Sequence, residues 1–237
     1  MLKPPTNFDV AVHTMEAKMG RGFLKRVAPE REPEQLNKFM SEIYITSDEH
    51  YGHEAIIRYL KRPFTGIWEM RDALIERHNK TVPKTGNHLT IHAGDLFWRT
   101  MSTKDAADTL HAMNGKHAFL FGNHDEIMED SPWLCSQFEW VKGENKVGGA
   151  HLIRFNNKKL LVSHFAHRVW ERSHKGSYHV YGHSHQGLPP MGYSFDIGVE
   201  GHDYRPWSLE EIFSRMETFE QHHVIPRERV WDGKSDE

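Results

Sequence analysis

The sequence has little of what several protein classes require. It contains a single cysteine, Cys135, so we expect no internal disulfide and no cysteine-based zinc cluster. No apolar run approaches the roughly 20 residues that a membrane helix needs, and residues 1–20 lack the apolar stretch of a signal peptide. The 30 lysines and arginines against 33 aspartates and glutamates give a formal charge of −3, which disfavours a general nucleic-acid coat protein. We therefore expect a cytoplasmic protein without a membrane partner.

Histidine, by contrast, is abundant, with 19 residues in a chain of 237. Histidine is the commonest metal ligand, and its side chain titrates near neutral pH. Hydrophobic residues make up 38% of the chain, which is enough apolar material for one large folded domain. Most of the histidines must have surface or packing roles, so the question is which few are placed to do chemistry.

The chain divides into three regions by composition. Residues 1–41 hold four prolines and a basic segment, Met15–Val27, which indicates an N-terminal extension. Residues 42–225 alternate between short apolar runs and helical spacing, which predicts the folded domain. Residues 226–237 are predicted to be a C-terminal tail.

Within the domain, apolar runs predict strands and 3.6-residue spacing predicts helices. The predicted strands are Ile43–Thr46, His88–Ala93, His117–Phe121, Tyr178–Tyr181, Tyr193–Val199 and a hairpin of Val147–Phe155 with Lys158–Ser163. The predicted helices are His53–Arg62, Trp68–Val82, Thr103–Asn114 and a segment that runs from an N-cap at Ser208 towards His222. This order favours an α/β fold with a mixed sheet or two sheets packed face to face.

Metal-capable side chains follow five of these strands. The segments are Ser47-Asp48-Glu49-His50, Gly94-Asp95, Gly122-Asn123-His124-Asp125, Ser163-His164 and Gly182-His183-Ser184-His185. Open α/β sheets place their sites outside the carboxyl ends of the strands, so we expect one convergent site.

The chemistry of these side chains narrows the kind of ion. Carboxylate, amide and imidazole donors without sulfur suit Mn, Fe, Zn, Co or Ni. The donors are too many for one ion, and an aspartate shared between two ions accounts for the excess. Two metals about 3.5–4 Å apart can stabilise both the attacking and the leaving oxygen in phosphoryl displacement.

With these motifs, the sequence from about Ile43 to about Phe213 resembles the calcineurin-like metallophosphoesterases. It is similar to their small bacterial and phage-encoded branch, which also carries stretches like Asp196-Ile-Gly-Val199 and Tyr204-Arg-Pro-Trp-Ser-Leu-Glu-Glu-Ile212. Two features depart from that branch. Residues 1–41 precede the usual first strand, and Ala166 stands where proline is often found.

The resemblance implies a two-sheet β-sandwich flanked by helices, with a dinuclear site at the carboxyl ends of the strands. It implies two divalent transition-metal ions, with Mn favoured, and a metal-bridging hydroxide as nucleophile. One ion would be held by Asp48, His50, Asp95 and His185, and the other by Asp95, Asn123, His164 and His183. His124 would stabilise the transition state and protonate the leaving oxygen, and Asp125 would orient the ring of His124.

These features predict a phosphodiesterase or phosphatase that acts on a phosphate ester. A metal-dependent nuclease is the first alternative, but it needs a basic track, and the only basic cluster is Lys18–Arg26. Nucleic acid therefore stays open as a partner. A non-catalytic scaffold ranks last, because such scaffolds tend to lose ligands or the catalytic histidine. The sequence identifies neither the substrate nor the oligomeric state.

Other residues near the motifs have less defined expectations. His53 is either a donor beside the metals or the start of a helix, and His92 is expected to pack in the interior. The candidate phosphate contacts are Arg58, Arg62, Arg99 and Arg168. The tryptophans are expected to line the core or a groove, and Cys135 is expected to be buried.

Overall fold

The computed structural model of the protein describes residues 42–219. The strands are β1 (Glu42–Thr46), β2 (His88–His92), β3 (Lys116–Leu120), β4 (Val141–Lys142), β5 (Ala150–Phe155), β6 (Lys158–Ser163), β7 (Tyr178–Tyr181), β8 (Ser194–Asp196) and β9 (Trp207–Ser208). The helices are α1 (Glu54–Tyr59), α2 (Ile67–Thr81), α3 (Thr103–Ala112), α4 (Glu126–Glu129), α5 (Pro132–Cys135) and α6 (Leu209–Glu217), with 3-10 turns at Ser173–Lys175 and Val199–His202.

The strands form two sheets, as the resemblance implied. The first has the order β4-β3-β2-β1-β9, in which β1 to β4 are parallel and β9 runs antiparallel to β1. The second has the order β5-β6-β7-β8, in which only the β5–β6 pair is antiparallel. Because most strands are parallel, their carboxyl ends meet at common edges of the two sheets.

One apolar core lies between the sheets. Ile45 and Ile91 of the first sheet and Val162 and Val180 of the second belong to the same buried cluster. Alternate residues on the first sheet face the other way, so that Phe119 packs with the flanking helices instead. Because both faces of the first sheet are covered, every residue of β2 is buried, including the polar Thr90 and His92.

Two local predictions are confirmed for clear physical reasons. Asn156 and Asn157 connect β5 to β6 with φ of 46° and 62°, the left-handed conformation that a two-residue hairpin loop requires. Ser208 caps α6, and its side chain and that of Glu211 accept hydrogen bonds from each other's backbone amides.

Some predicted elements differ from the structure or extend past it, and some short elements were not predicted. The predicted strand Tyr193–Val199 is strand only over Ser194–Asp196, because Val199 already begins a 3-10 turn. α6 ends at Glu217, and His222 lies outside the described residues. The short elements α4, α5, β4 and β9 were not predicted, since four or fewer residues show no measurable periodicity.

Several sequence expectations fall outside what the structure describes. The extension 1–41 and the tail 226–237 lie there, so the domain limits stay predictions. Within residues 42–219, no helix combines the length and apolar character needed to cross a bilayer. Cys135 is a buried free thiol, as expected.

Candidate metal centre

The loops after β1, β2, β3, β6 and β7 bring the predicted ligands together in two groups. The first group consists of Asp48, His50 and His185, and the second of Asp95, His164 and His183. Within each group, the ligand atoms all lie within 4.8 Å of one another. This convergence is what the carboxyl ends of neighbouring strands were expected to produce.

Asp95 lies between the two groups. Its Oδ2 is 3.6 Å from Nε2 of His50, and its Oδ1 is 3.6 Å from Nε2 of His164. The seventh predicted ligand, Asn123, places Oδ1 2.9 Å from the same His164 nitrogen. One carboxylate therefore faces both groups with different oxygens.

Backbone hydrogen bonds to carboxylates join the ligand loops. The amide of His183 donates to both carboxylate oxygens of Asp48 at 3.0 Å. The amide of His124 donates to Oδ1 of Asp95 at 2.9 Å. Each carboxylate thereby orders the loop of a neighbouring strand.

Five of the seven candidate ligands have left-handed backbone conformations. They are Asp48 (φ 61°), His50 (φ 54°), Asp95 (φ 56°), His183 (φ 65°) and His185 (φ 46°). Non-glycine residues rarely adopt this conformation, and when they do they cluster at functional sites. The backbone geometry thus marks the same loops as the side-chain chemistry does.

Two glycines allow the side chains of the site to approach the backbone closely. A Cβ on Gly122 would lie 2.2 Å from Oδ1 of Asp95. A Cβ on Gly94, which has φ of 98°, would lie 2.4 Å from Nδ1 of His164. Any larger residue at either position would displace a ligand.

The residues of this site fit divalent cations. Nε2 of His50 is buried and has no hydrogen-bond partner among the described residues. Burial raises the pKa of Asp48 well above its ordinary range, and the charge of Asp95 raises it further. A cation between the groups would pair the orphan nitrogen and compensate the clustered carboxylates.

Two of the histidines have one ring nitrogen engaged outside the site. Nδ1 of His164 donates to the carbonyl of Ala93 at 2.9 Å, and Nδ1 of His185 donates to Glu200 at 3.4 Å. Carbonyl and carboxylate oxygens only accept, so Nδ1 carries the proton in each ring. In His185, Nε2 is then left with the lone pair that a metal needs. In His164, Nε2 faces Oδ1 of Asn123, so an ion held by these two ligands would take the place of that contact.

His124 lies beside the first group and is half-buried. Its ring centroid is 6.0 Å from that of His50 and 5.3 Å from that of Trp98. This position is adjacent to the first ligand group, and the separate role of His124 stays a prediction.

Asp125 has partners other than the one expected. Its carboxylate accepts from the backbone amides of Asp95 (2.8 Å), Leu96 (3.1 Å) and Gly122 (2.6 Å). The His124 ring is not among the partners that the structure shows for this fully buried side chain. Both oxygens join the loops after β2 and β3, so Asp125 orders these loops, and its orienting of the His124 ring stays a prediction.

His53 and Trp98 form one wall of the site. Their rings stack in parallel, with centroids 3.6 Å apart, and His53 lies 5.4 Å from His50. Burial, together with the neighbouring His124, lowers the pKa of His53 to about 4. His53 is therefore a neutral ring at the edge of the first group, and Trp98 is a groove residue, as expected of the tryptophans.

Arg62 corrects one sequence expectation. It is fully buried, and it donates to the backbone carbonyl of Asp48 at 2.7 Å and to Glu200 at 2.9 Å. A phosphate ester cannot reach it, so it is not a phosphate contact. Arg58, Arg99 and Arg168 are exposed and remain candidates for that role.

Sequence reasoning missed Glu200. It follows the Asp196-Ile-Gly-Val199 stretch, which signalled the family without giving a role to the next residue. His92 does pack in the interior as expected, and its two ring nitrogens contact Glu49 (2.6 Å) and His117 (3.1 Å).

Comparison with known proteins agrees with this geometry. The sequence model described as calcineurin-like phosphoesterase matches residues 41–198. The uncharacterized protein MJ1445 of Methanocaldococcus jannaschii is 28% identical over 185 residues, which cover 75% of this chain and 93% of that protein.

Two solved structures are also similar. The crystal structure of AQ665 from Aquifex aeolicus, a protein of unknown function, matches with a TM-score of 0.56 and 22% identity over 73% of this chain and 98% of that one. This likeness supports the fold. A structure described as that of a novel archaeal phosphodiesterase matches with a TM-score of 0.38 and 19% identity, over 68% of this chain and 86% of that one. A score this low supports no conclusion.

Because the family match covers most of the chain, the protein belongs to the calcineurin-like phosphoesterases. It is accordingly a metal-dependent hydrolase of phosphoric esters, built on the two-sheet fold that the sequence predicted.

Proposed function

We propose that the protein hydrolyses a phosphodiester or a phosphomonoester with two divalent transition-metal ions, and that manganese is the favoured ion. The observation that supports this most directly is the position of Asp95, whose two oxygens face different ligand groups at 3.6 Å. A carboxylate in this position suits a ligand shared between two ions. The cytoplasmic setting stays a prediction from the sequence.

Each proposed ion has four ligand side chains. One would be held by Asp48, His50, Asp95 and His185, and the other by Asp95, Asn123, His164 and His183. Bound in this way, two divalent ions polarise phosphoryl oxygens and lower the pKa of water.

The remaining chemistry belongs to side chains beside the ligands. A ring N–H of His124 would donate a proton to the leaving oxygen, and the half-buried ring lies where an ester can reach it. The hydrogen bond from its backbone amide to Asp95 holds His124 next to the ligands. The stacked rings of His53 and Trp98 exclude water from one side of the reacting group.

The test is metal reconstitution followed by an assay of several substrate classes. The purified full chain is stripped with a chelator, reloaded with Mn²⁺, and assayed on a nitrophenyl diester, a nitrophenyl monoester and oligonucleotides. We expect about two ions per chain and activity that the chelator removes and Mn²⁺ restores. Metal content well below one ion per chain would contradict the proposal. Activity confined to oligonucleotides would favour the nuclease hypothesis instead.

A further inference from the structure

Arg62 uses its whole hydrogen-bonding capacity inside the protein. Its Nη2 donates to the carbonyl of Asp48 (2.7 Å), its Nη1 to the carbonyl of Glu49 (2.8 Å) and to Sδ of Met70 (3.4 Å), and its Nε and Nη2 to Oε1 of Glu200. A guanidinium has five N–H groups, and each has a partner here. Arg62 therefore holds the backbone of Asp48 and Glu49 in a fixed position relative to Glu200.

Glu200 connects Arg62 to the candidate ligand His185. While Oε1 accepts from Arg62, Oε2 accepts from Nδ1 of His185 at 3.4 Å. Arg62 and Glu200 are 138 residues apart in sequence, so the pair joins distant parts of the chain. At one end the pair holds the loop that carries Asp48 and His50, and at the other it holds the ring of His185.

The second group is supported by other residues, since the buried carboxylate of Asp125 accepts hydrogen bonds from the backbone amides of Asp95 and Gly122. There, Nδ1 of His164 donates to the backbone carbonyl of Ala93, and His183 is exposed. The Arg62–Glu200 pair therefore holds the backbone of the loop that carries Asp48 and His50, and it holds the ring of His185, whereas none of its hydrogen bonds goes to Asp95, His164 or His183.

We propose that Arg62 and Glu200 are positioning residues that set the metal affinity of the first group selectively. This inference rests on the proposed two-metal function. The residues around a metal's ligands typically change its affinity by 10- to 100-fold when they are substituted. Here we expect the affinity to change for only one of the two ions, the one bound by the first group.

The geometry predicts that charge alone does not replace Arg62. Lysine keeps the positive charge but has three donors on a single nitrogen, which cannot reach two carbonyls and a carboxylate in a planar fork. Arg62→Lys should therefore weaken the first group even though the buried carboxylate of Glu200 keeps a cationic neighbour.

The experiment compares three variants of the full-length protein: Arg62→Lys, Glu200→Gln and the control Arg77→Lys. Arg77 is a partly exposed arginine near the same turn, paired with Asp203 at 3.5 Å, and it has no part in the site. Each metal-free protein is titrated with Mn²⁺, and calorimetry gives the two dissociation constants. Thermal melting reports whether each variant folds.

We expect Arg62→Lys to weaken Mn²⁺ binding at the first group by 10- to 100-fold. Binding at the second group should be the same as in the unmodified protein. Glu200→Gln should weaken the same ion by a smaller factor, because a neutral amide oxygen is a weaker acceptor for the His185 N–H. Arg77→Lys should leave both ions unchanged. On a His185→Ala background, which already disables the first group, Arg62→Lys should have no further effect on the remaining ion.

The inference is overturned if Arg62→Lys and Glu200→Gln leave both metal affinities within about twofold of those of the unmodified protein. It is also overturned if they weaken the binding of the two ions equally. If Arg62→Lys does not fold, Glu200→Gln alone decides between these outcomes. Failure of the proposed function is a different result, since the unmodified protein would then bind fewer than two ions.

Discussion

The two ligand groups of this protein are alike in composition and different in surroundings. Each has one aspartate and two histidines, but the first is more buried than the second, in which His183 is exposed. The Arg62–Glu200 pair supports the first group, whereas Asp125 and the backbone carbonyl of Ala93 support the second. Similar ligands in unequal surroundings give unequal binding, so the two ions should differ in affinity and in exchange rate.

Substitution of Asp95, the residue that faces both ligand groups, should have the largest effect on metal content and turnover. Asp95→Asn should lower metal content below about one ion per chain, because it removes a charged oxygen from each group. Asparagine tolerates the left-handed backbone at this position, so the fold should persist. Turnover should fall by more than about 10³-fold, since loss of one electrostatic group alone often costs 10²–10³.

Metal analysis and steady-state kinetics check this prediction. The matched control is Asp203→Asn, which neutralises an exposed aspartate away from the ligands and should keep both metals. Retention of two ions by Asp95→Asn would show that the groups do not depend on a shared carboxylate.

A change at His124 should spare both groups and still reduce turnover. His124→Ala should keep two ions per chain and lose on the order of 10²-fold or more in turnover, because the general acid is gone. Esters with good leaving groups should suffer less, since they need less protonation. An equal loss for nitrophenyl and alkyl esters would mean that His124 acts by charge or positioning instead.

Two glycine substitutions should weaken the groups one at a time. On Gly182 a new Cβ would lie 2.3 Å from Oδ2 of Asp48, and on Gly94 it would lie 2.4 Å from Nδ1 of His164. Gly182→Ala should therefore weaken Mn²⁺ binding at the first group, and Gly94→Ala should weaken it at the second, each by about 10- to 100-fold. Titration with Mn²⁺ measures both constants. Gly66→Ala is the control, because nothing lies within 4 Å of its Cβ position.

The smallest effect should come from removing the N-terminal extension. No candidate ligand precedes Asp48, so a chain that begins at Met40 should bind two ions and hydrolyse small phosphodiesters at a comparable rate. Metal titration and the nitrophenyl assay check this. A selective loss of activity on oligonucleotides, together with its salt dependence, would instead assign nucleic-acid binding to the segment Met15–Val27.

The sequence predicted most of the strands and all seven residues that converge at the site. That was feasible because strand ends and their loops are local features, and parallel strands bring the loops together. The Arg62–Glu200 contact could not be predicted from the sequence. It joins residues 138 positions apart through side-chain rotamers that no local pattern encodes. The backbone partners of Asp125 could not be predicted for the same reason, because they depend on how two loops pack.

The left-handed backbone at the ligands has a consequence for how this site can change in evolution. Aspartate, asparagine and histidine are the non-glycine residues most enriched in that conformation, and they are also good ligands for divalent metals. At Asp48, His50, Asp95, His183 and His185, backbone tolerance and coordination chemistry therefore admit the same small set of amino acids. Exchanges within that set can alter which metal is preferred while the loops keep their shape, so this scaffold can drift between metals by single substitutions.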